Sequence, residues 1–102
     1  MKAVFLCGGI GKRMFPFTED KFLFDFLGKT LLEHQIEIAR KAGINHFVII
    51  ANVANIEQIR RICGKYPNMK IDIALQERPL GIADALKCAA QYLDGMIVVV
   101  NP

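Results

Sequence analysis

The sequence lacks the features that would indicate a membrane, secreted or nucleic-acid-binding protein. No apolar stretch approaches the roughly 20 residues that a membrane span needs. The apolar run at residues 3–7 is also shorter than a secretory h-region of roughly 7–15 residues. The formal net charge is only +3, which is too small to indicate nucleic-acid binding. We therefore expect a cytoplasmic protein with neither a membrane nor a nucleic acid as partner.

Residues typical of disulfide frameworks and metal sites are scarce. The three cysteines, Cys7, Cys63 and Cys88, show no CxxC spacing, and an odd number suits reduced thiols in a reducing compartment. The two histidines, His34 and His46, have no partners at the spacing of metal ligands. We interpret the histidines as structural and identify no metal ligand in the chain.

The apolar pattern predicts one small α/β domain. The chain has 102 residues, of which 53% are hydrophobic and 23% charged, enough for a single core. Four apolar runs predict strands at residues 2–7, 46–51, 70–76 and 96–100. The second and fourth runs are continuously apolar, which is typical of parallel strands buried on both faces.

Three helical patterns alternate with these strands, at residues 31–42, 56–65 and 82–93. Thr30 and Glu33 have the spacing of a capping box for the first helix, and Asn55 is the predicted cap of the second. Asp84 is interpreted as an exposed acid in the first turn of the third, where the helix dipole favours it. The order βαβαβαβ predicts a Rossmann-like, doubly wound, mostly parallel sheet.

A glycine loop follows the first predicted strand. The strand ends at Gly8-Gly9-Ile10-Gly11, and the cations Lys12, Arg13 and Lys21 come soon after. Glycines let backbone N–H groups turn toward an anion, and cations neutralise the charge that amides alone cannot. Ligands of doubly wound sheets bind at the carboxyl ends of the strands. The sequence therefore predicts a phosphate site at this loop.

Two familiar phosphate loops match this segment only in part. A dinucleotide fingerprint GxGxxG counted from Gly9 has Met14 at its third glycine. A P-loop, GxxxxGK followed by Ser or Thr, has Leu6 at its first glycine and Arg13 at its hydroxyl position. Both matches fail at positions where the chemistry needs a particular residue.

A third pattern fits better and recurs along the chain. Residues 6–18, LCGGIGKRMFPFT, resemble the L-A-G-G-x-G-T-R-L-x-P-L-T loop of the sugar-phosphate nucleotidyltransferases. Residues 21–34 are similar to that family's K-P-L-L-P-V-x-G-K-P-L-I-E-H, and residues 76–85 to its Q-x-x-P-L-G-T/I-A-x-A. The chain departs from the family at Lys12, which replaces a threonine, and at Phe22 and Asp25, which replace prolines.

The resemblance implies a reaction and assigns roles to residues. A nucleoside monophosphate passes from a nucleoside triphosphate to a sugar 1-phosphate, and pyrophosphate leaves. By the resemblance, Arg13 holds the departing pyrophosphate and Lys21 lies between the reacting phosphates. Gln76 and the backbone at Gly81 read the edge of the base. The other implied nucleotide-binding residues belong to the glycine loop: Leu6, Gly8, Gly9, Gly11 and Lys12.

The resemblance also implies Mg²⁺, whose aspartate ligands in the family come after the position of Pro102. We therefore expect residues 1–102 to be a single N-terminal nucleotide-binding portion of a truncated, nucleotide-diphospho-sugar transferase-like fold. We expect this portion to be inactive alone and to form a homo-oligomer. Two alternatives stay open: a non-catalytic nucleotide-binding module, and an enzyme like the molybdopterin guanylyltransferases, which residues 20–21 and 27–29 resemble.

Overall fold

The computed structural model describes residues 1–8, 23, 25–78 and 80–100. Its six strands are β1 Lys2–Leu6, β2 Asp25–Phe26, β3 Lys29–Thr30, β4 His46–Ala51, β5 Lys70–Leu75 and β6 Ile97–Val100. Its helices are α1 Leu31–Lys41, α2 Ile56–Cys63 and α3 Ile82–Cys88, and a short 3₁₀ helix, Ala90–Tyr92, follows α3.

Four of these strands form one parallel sheet in the order β5-β4-β1-β6. Helices cover both faces. On one face, α1 and α2 pack against alternate residues of the central strands, such as Phe5 and Phe47. On the other face, α3 packs against the intervening residues, such as Val4 and Val48. The predicted α/β class and doubly wound parallel sheet are therefore confirmed.

The core is centred on β1 and β4, which have a paired strand on each side. Phe5 and Phe47 are adjacent in the core, and their rings stack with centroids 5.8 Å apart. Every residue from Phe47 to Ala51 is buried, as the continuous apolar run of β4 predicts. The predicted capping box of α1 is also confirmed, because Glu33 N–H donates to Thr30 Oγ1 at 3.2 Å and Thr30 N–H to Glu33 Oε1 at 3.3 Å.

The prediction that the last strand is buried on both faces is wrong. Val98 and Val99 of β6 are 39% and 43% exposed. Among the described strands β6 pairs only with β1, so it forms an edge of the sheet. The predicted third helix is also too long, since α3 ends at Cys88 and its continuation is the 3₁₀ helix.

The sequence reading missed a small hairpin formed by β2 and β3. Its two-residue turn consists of Leu27 and Gly28, with φ of 55° and 84°. Positive φ at both central residues is the pattern of a type I′ turn, which matches the twist of paired strands. Glycine adopts this backbone freely, whereas Leu27 is strained there and leaves its side chain 83% exposed.

We predict that Leu27→Asn stabilises the chain. Asparagine tolerates the left-handed conformation that costs an ordinary L-residue about 1–2 kcal/mol, so we expect a gain of about 0.5–1 kcal/mol. Thermal unfolding followed by circular dichroism measures this gain. Leu27→Ala is the matched control, because it removes the same exposed side chain but retains the strained Cβ. Equal melting temperatures for the Asn and Ala variants would contradict the prediction.

Candidate functional site

Three strand ends meet where the chain leaves β1. The parallel pairing continues one residue past the strands, with Cys7 N–H donating to the Ile50 carbonyl and Gln76 N–H to the Ala51 carbonyl, each at 2.8 Å. This register brings Gly8, Asn52 and Gln76 together at the carboxyl edge of the sheet, although they are far apart in the sequence. The sequence predicted a ligand site at this edge.

Two buried amides hold the backbone at the start of the glycine loop. Asn55 Nδ2 donates to the Cys7 carbonyl at 2.8 Å, and Asn52 Nδ2 donates to the Gly8 carbonyl at 3.4 Å. The two side chains are linked, because Asn52 N–H donates to Asn55 Oδ1 at 2.8 Å and Asn55 N–H donates to Asn52 Oδ1 at 2.9 Å. We call this pair the asparagine clasp.

Of the two residues of the asparagine clasp, only Asn55 was identified from the sequence, and it was assigned a different role. Asn55 was predicted to cap α2, but its side chain makes no capping hydrogen bond. Its backbone is helical, with φ −113° and ψ −5°, rather than extended as a capping residue requires, and its amide binds Asn52 and Cys7 instead. Asn52 was missed, although a polar residue directly after a fully apolar strand was a signal available in the sequence.

Gly8 is in direct contact with the side chain of Gln76. A Cβ atom at position 8 would lie 2.5 Å from Gln76 Oε1 and 3.2 Å from Gln76 Cβ. Gln76 is only 3% exposed, so it has little room to move away. Glycine is therefore required here for close approach to a neighbouring side chain rather than for an unusual φ.

The amide of Gln76 is fixed by the segment before and within α3. Gln76 Nε2 donates to the Gly81 carbonyl at 3.3 Å and to Asp84 Oδ2 at 2.9 Å. Gly81 precedes α3 with φ 99°, a conformation that glycine adopts without strain. Asp84 does lie in the first turn of α3, as predicted, but it is half-buried and bonded to Gln76 rather than exposed.

The structure brings together those predicted site residues that it describes. Gly8, Gln76 and Gly81 form one contact network, and Leu6 lies just before it with its side chain in the core. Leu6 can therefore offer a ligand only its backbone. The remaining predicted residues lie outside the described residues, so their roles stay predictions: Gly9, Gly11, Lys12, Arg13 and Lys21.

An open cavity of about 410 Å³ borders the site on the side of Asp84, and Leu75, Arg78 and Cys88 also line it.

Within the described ranges, no three or more His, Cys, Asp or Glu side chains are grouped so as to hold a metal ion. The magnesium ion that the family resemblance implies therefore has no such group of ligands among the described residues. No helix in the described part of the chain is long and apolar enough to cross a membrane.

The opposite end of the sheet carries polar contacts of a structural kind. His46 Nε2 lies 3.0 Å from Asp72 Oδ2 across β4 and β5. Lys2 bonds the Tyr92 carbonyl and the Asp94 carboxylate, and this hydrogen bond lowers the pKa of Asp94. These contacts join strand starts to each other and to the loop before β6, which agrees with a structural role for His46.

Comparison with known proteins identifies the family. The family described as nucleotidyl transferase matches residues 2–101, so the chain belongs to it. The chain is 38% identical to the bifunctional protein GlmU of Methanococcus vannielii, over 99% of this chain and 24% of that protein. It is 35% identical to the mannose-1-phosphate guanylyltransferase catalytic subunit beta of Xenopus tropicalis, over 91% of this chain and 27% of that protein. The chain thus spans about a quarter of the length of these relatives.

Solved structures show the same fold. The crystal structure of HddC from Yersinia pseudotuberculosis complexed with GMP-PN superposes with a TM-score of 0.81 and 27% identity, over 98% of this chain and 46% of that chain. The inositol-1-phosphate CTP transferase from T. maritima superposes with a TM-score of 0.82 at 17% identity, over 98% of this chain and 42% of that chain, which supports the fold alone.

We predict that Gly8→Ala destabilises the chain. The new Cβ would overlap Gln76 Oε1, and the Gln76 amide is held by Gly81 and Asp84. Overpacking of this kind costs about 1–3 kcal/mol. Chemical denaturation measures the loss. Gly64→Ala is the control, since a Cβ there has its nearest neighbour at 3.4 Å.

The double variant Gly8→Ala/Gln76→Ala tests the cause. Removing the glutamine side chain removes the clash, so the double variant should lose less stability than the sum of the two single losses. Additive losses would show that the contact between Gly8 and Gln76 is not the source of the strain.

Proposed function

We propose that this chain is the nucleotide-binding part of an enzyme that transfers a nucleoside monophosphate from a nucleoside triphosphate to a sugar 1-phosphate, with release of pyrophosphate. The observation that carries the proposal is the contact of Gly8, from the glycine loop, with Gln76, from the base-reading motif. Two motifs recognised separately in the sequence thus meet at one edge of the sheet, which supports the proposal. Family membership and the names of the relatives support the same reaction.

The reaction places modest chemical demands on the protein. An oxygen of the sugar phosphate attacks the α-phosphorus and pyrophosphate departs, so catalysis consists mostly of positioning and charge stabilisation. Backbone N–H groups after β1 bind the triphosphate, Arg13 holds the pyrophosphate, and Lys21 offsets the charge between the reacting phosphates. The asparagine clasp holds the carbonyls of Cys7 and Gly8, where the glycine loop begins.

The base lies against Gln76 and Gly81 in this proposal. Gly81 is exposed, so its backbone is accessible to a ligand, and Gln76 supplies a side-chain amide at the strand end. One relative is named as a guanylyltransferase, and one neighbouring structure is described as a complex with GMP-PN. Guanosine triphosphate is therefore the first nucleotide to test.

The expected cellular location, oligomeric state and metal ion are proposals as well. We propose a cytoplasmic location, because Cys7, Cys63 and Cys88 are free thiols that suit a reducing compartment. Burial raises the pKa of the Cys63 thiol to about 11, which keeps this cysteine neutral and unreactive. We also propose a homo-oligomer. No group of three or more metal-binding side chains is found among the described residues, so no step is assigned to a divalent metal ion.

We predict that Arg13→Ala weakens binding of a nucleoside triphosphate much more than binding of the matching nucleoside. Only the triphosphate presents phosphate oxygens to the guanidinium, and losing one charge-assisted contact costs on the order of 1.5–3 kcal/mol. Isothermal titration calorimetry with guanosine triphosphate and guanosine measures the difference. Arg60→Ala is the matched control, because Arg60 is exposed on α2 and pairs with Glu57.

Equal losses for the two ligands would show that Arg13 does not contact phosphate. If the unmodified chain binds none of the common nucleoside triphosphates, the proposed function itself is wrong.

A further inference from the structure

We propose that Asp84 is a positioning residue that fixes the orientation of the Gln76 amide, so that the Gln76 side chain offers the base a hydrogen-bond acceptor and no donor. Asp84 does not itself touch the base in this scheme. It acts on base selection through Gln76. The inference rests on the proposed function, because it assumes that a nucleotide base lies against Gln76.

The orientation of the Gln76 amide follows from the chemistry of its neighbours. The same terminal atom of Gln76 contacts the Gly81 carbonyl oxygen at 3.3 Å and the Asp84 Oδ2 at 2.9 Å. A carbonyl and an ionised carboxylate are acceptors only. The atom between them must therefore be the NH₂ group, and its two hydrogens are both used.

The other terminal atom is consequently the carbonyl oxygen, Oε1. It lies against Gly8, at 2.5 Å from where a Cβ of that residue would be. Gln76 is 3% exposed, and within the described part of the chain Oε1 accepts no hydrogen bond. A ligand N–H that reaches this carbonyl oxygen gains a hydrogen bond that no described residue makes.

A fixed amide distinguishes bases that a rotating amide does not. Adenine presents an exocyclic amino donor where guanine presents a carbonyl acceptor, and cytosine and uracil differ in the same way. If Gln76 can turn, it offers either NH₂ or C=O and accommodates both members of each pair. While Asp84 and Gly81 hold the NH₂ group, only a base that turns an N–H toward Oε1 is satisfied.

Asp84→Asn removes the constraint with little change in shape. The asparagine amide can either accept from Gln76 Nε2 or donate to Gln76 Oε1, so the turned orientation of Gln76 is then opposed only by the longer contact to the Gly81 carbonyl, at 3.3 Å. The substitution therefore acts on the choice of base. It leaves the triphosphate contacts, which lie at the glycine loop, in place.

The test measures dissociation constants by calorimetry for adenosine, guanosine, cytidine and uridine triphosphates. In the unmodified chain, one purine and one pyrimidine should bind better than the other member of their pair. In Asp84→Asn, the larger of these two ratios should fall roughly five- to tenfold, the worth of one hydrogen bond. Glu57→Gln, a carboxylate exposed on α2 away from the site, is the control and should leave both ratios unchanged.

The Gln76 amide can be followed separately by ¹H–¹⁵N NMR of the ligand-free chain. Both Nε2 hydrogens should exchange slowly with solvent in the unmodified chain and faster in Asp84→Asn. Thermal unfolding establishes that the variant is folded, and Asp84→Ala serves in its place if it is not, with the same expected results.

Fast exchange in the unmodified chain would overturn the inference, as would unchanged base ratios in the variant. A chain that shows slow exchange but binds no triphosphate would contradict the proposed function instead, and the base-reading role of Gln76 would fail with it.

Discussion

The parallel register of β1, β4 and β5 determines where the described site residues lie. Because Leu6 pairs with Ile50 and Ala51 pairs with Leu75, the residues that follow these strands emerge together at one edge. A slip of one residue would turn every side chain of a strand to the opposite face. The buried faces on either side of the sheet prevent such a slip, and so the hydrophobic core fixes the position of Gly8 relative to Gln76.

The strand register sets the position of the site, and buried side-chain amides then fix the backbone around it. Asn52, Asn55 and Gln76 are each less than 10% exposed, which is costly unless their polar atoms find partners. Their partners are backbone groups of the glycine loop and of the segment before α3. The polar groups that could have weakened the core therefore hold the edge of the site rigid. Rigid, pre-oriented groups are what a reaction that depends on positioning requires.

Much of this arrangement could be predicted from the sequence, because its signals are local. The apolar runs gave the four main strands, the spacing of Thr30 and Glu33 gave the capping box, and the motifs placed Gly8 and Gln76 in one site. The failures depend on tertiary contacts. Leu27 carries no sign of a left-handed turn, an apolar run does not reveal that β6 is an edge strand, and the bonds of Asn55 and Asp84 depend on residues brought close only by folding.

The central claim is that the carboxyl edge of the sheet, at Gly8, Gln76 and Gly81, binds a nucleoside triphosphate. Its most direct test is a titration of the ¹⁵N-labelled chain with guanosine triphosphate, and with the other common triphosphates, followed by ¹H–¹⁵N NMR. This account predicts saturable shifts of the Gly8 and Gly81 amides and of the Gln76 side chain, with His46 and Lys70 at the other end of the sheet unchanged. Two results would contradict this account. One is saturable shifts confined to His46 and Lys70, and the other is no shift of the Gly8 amide with any of the triphosphates.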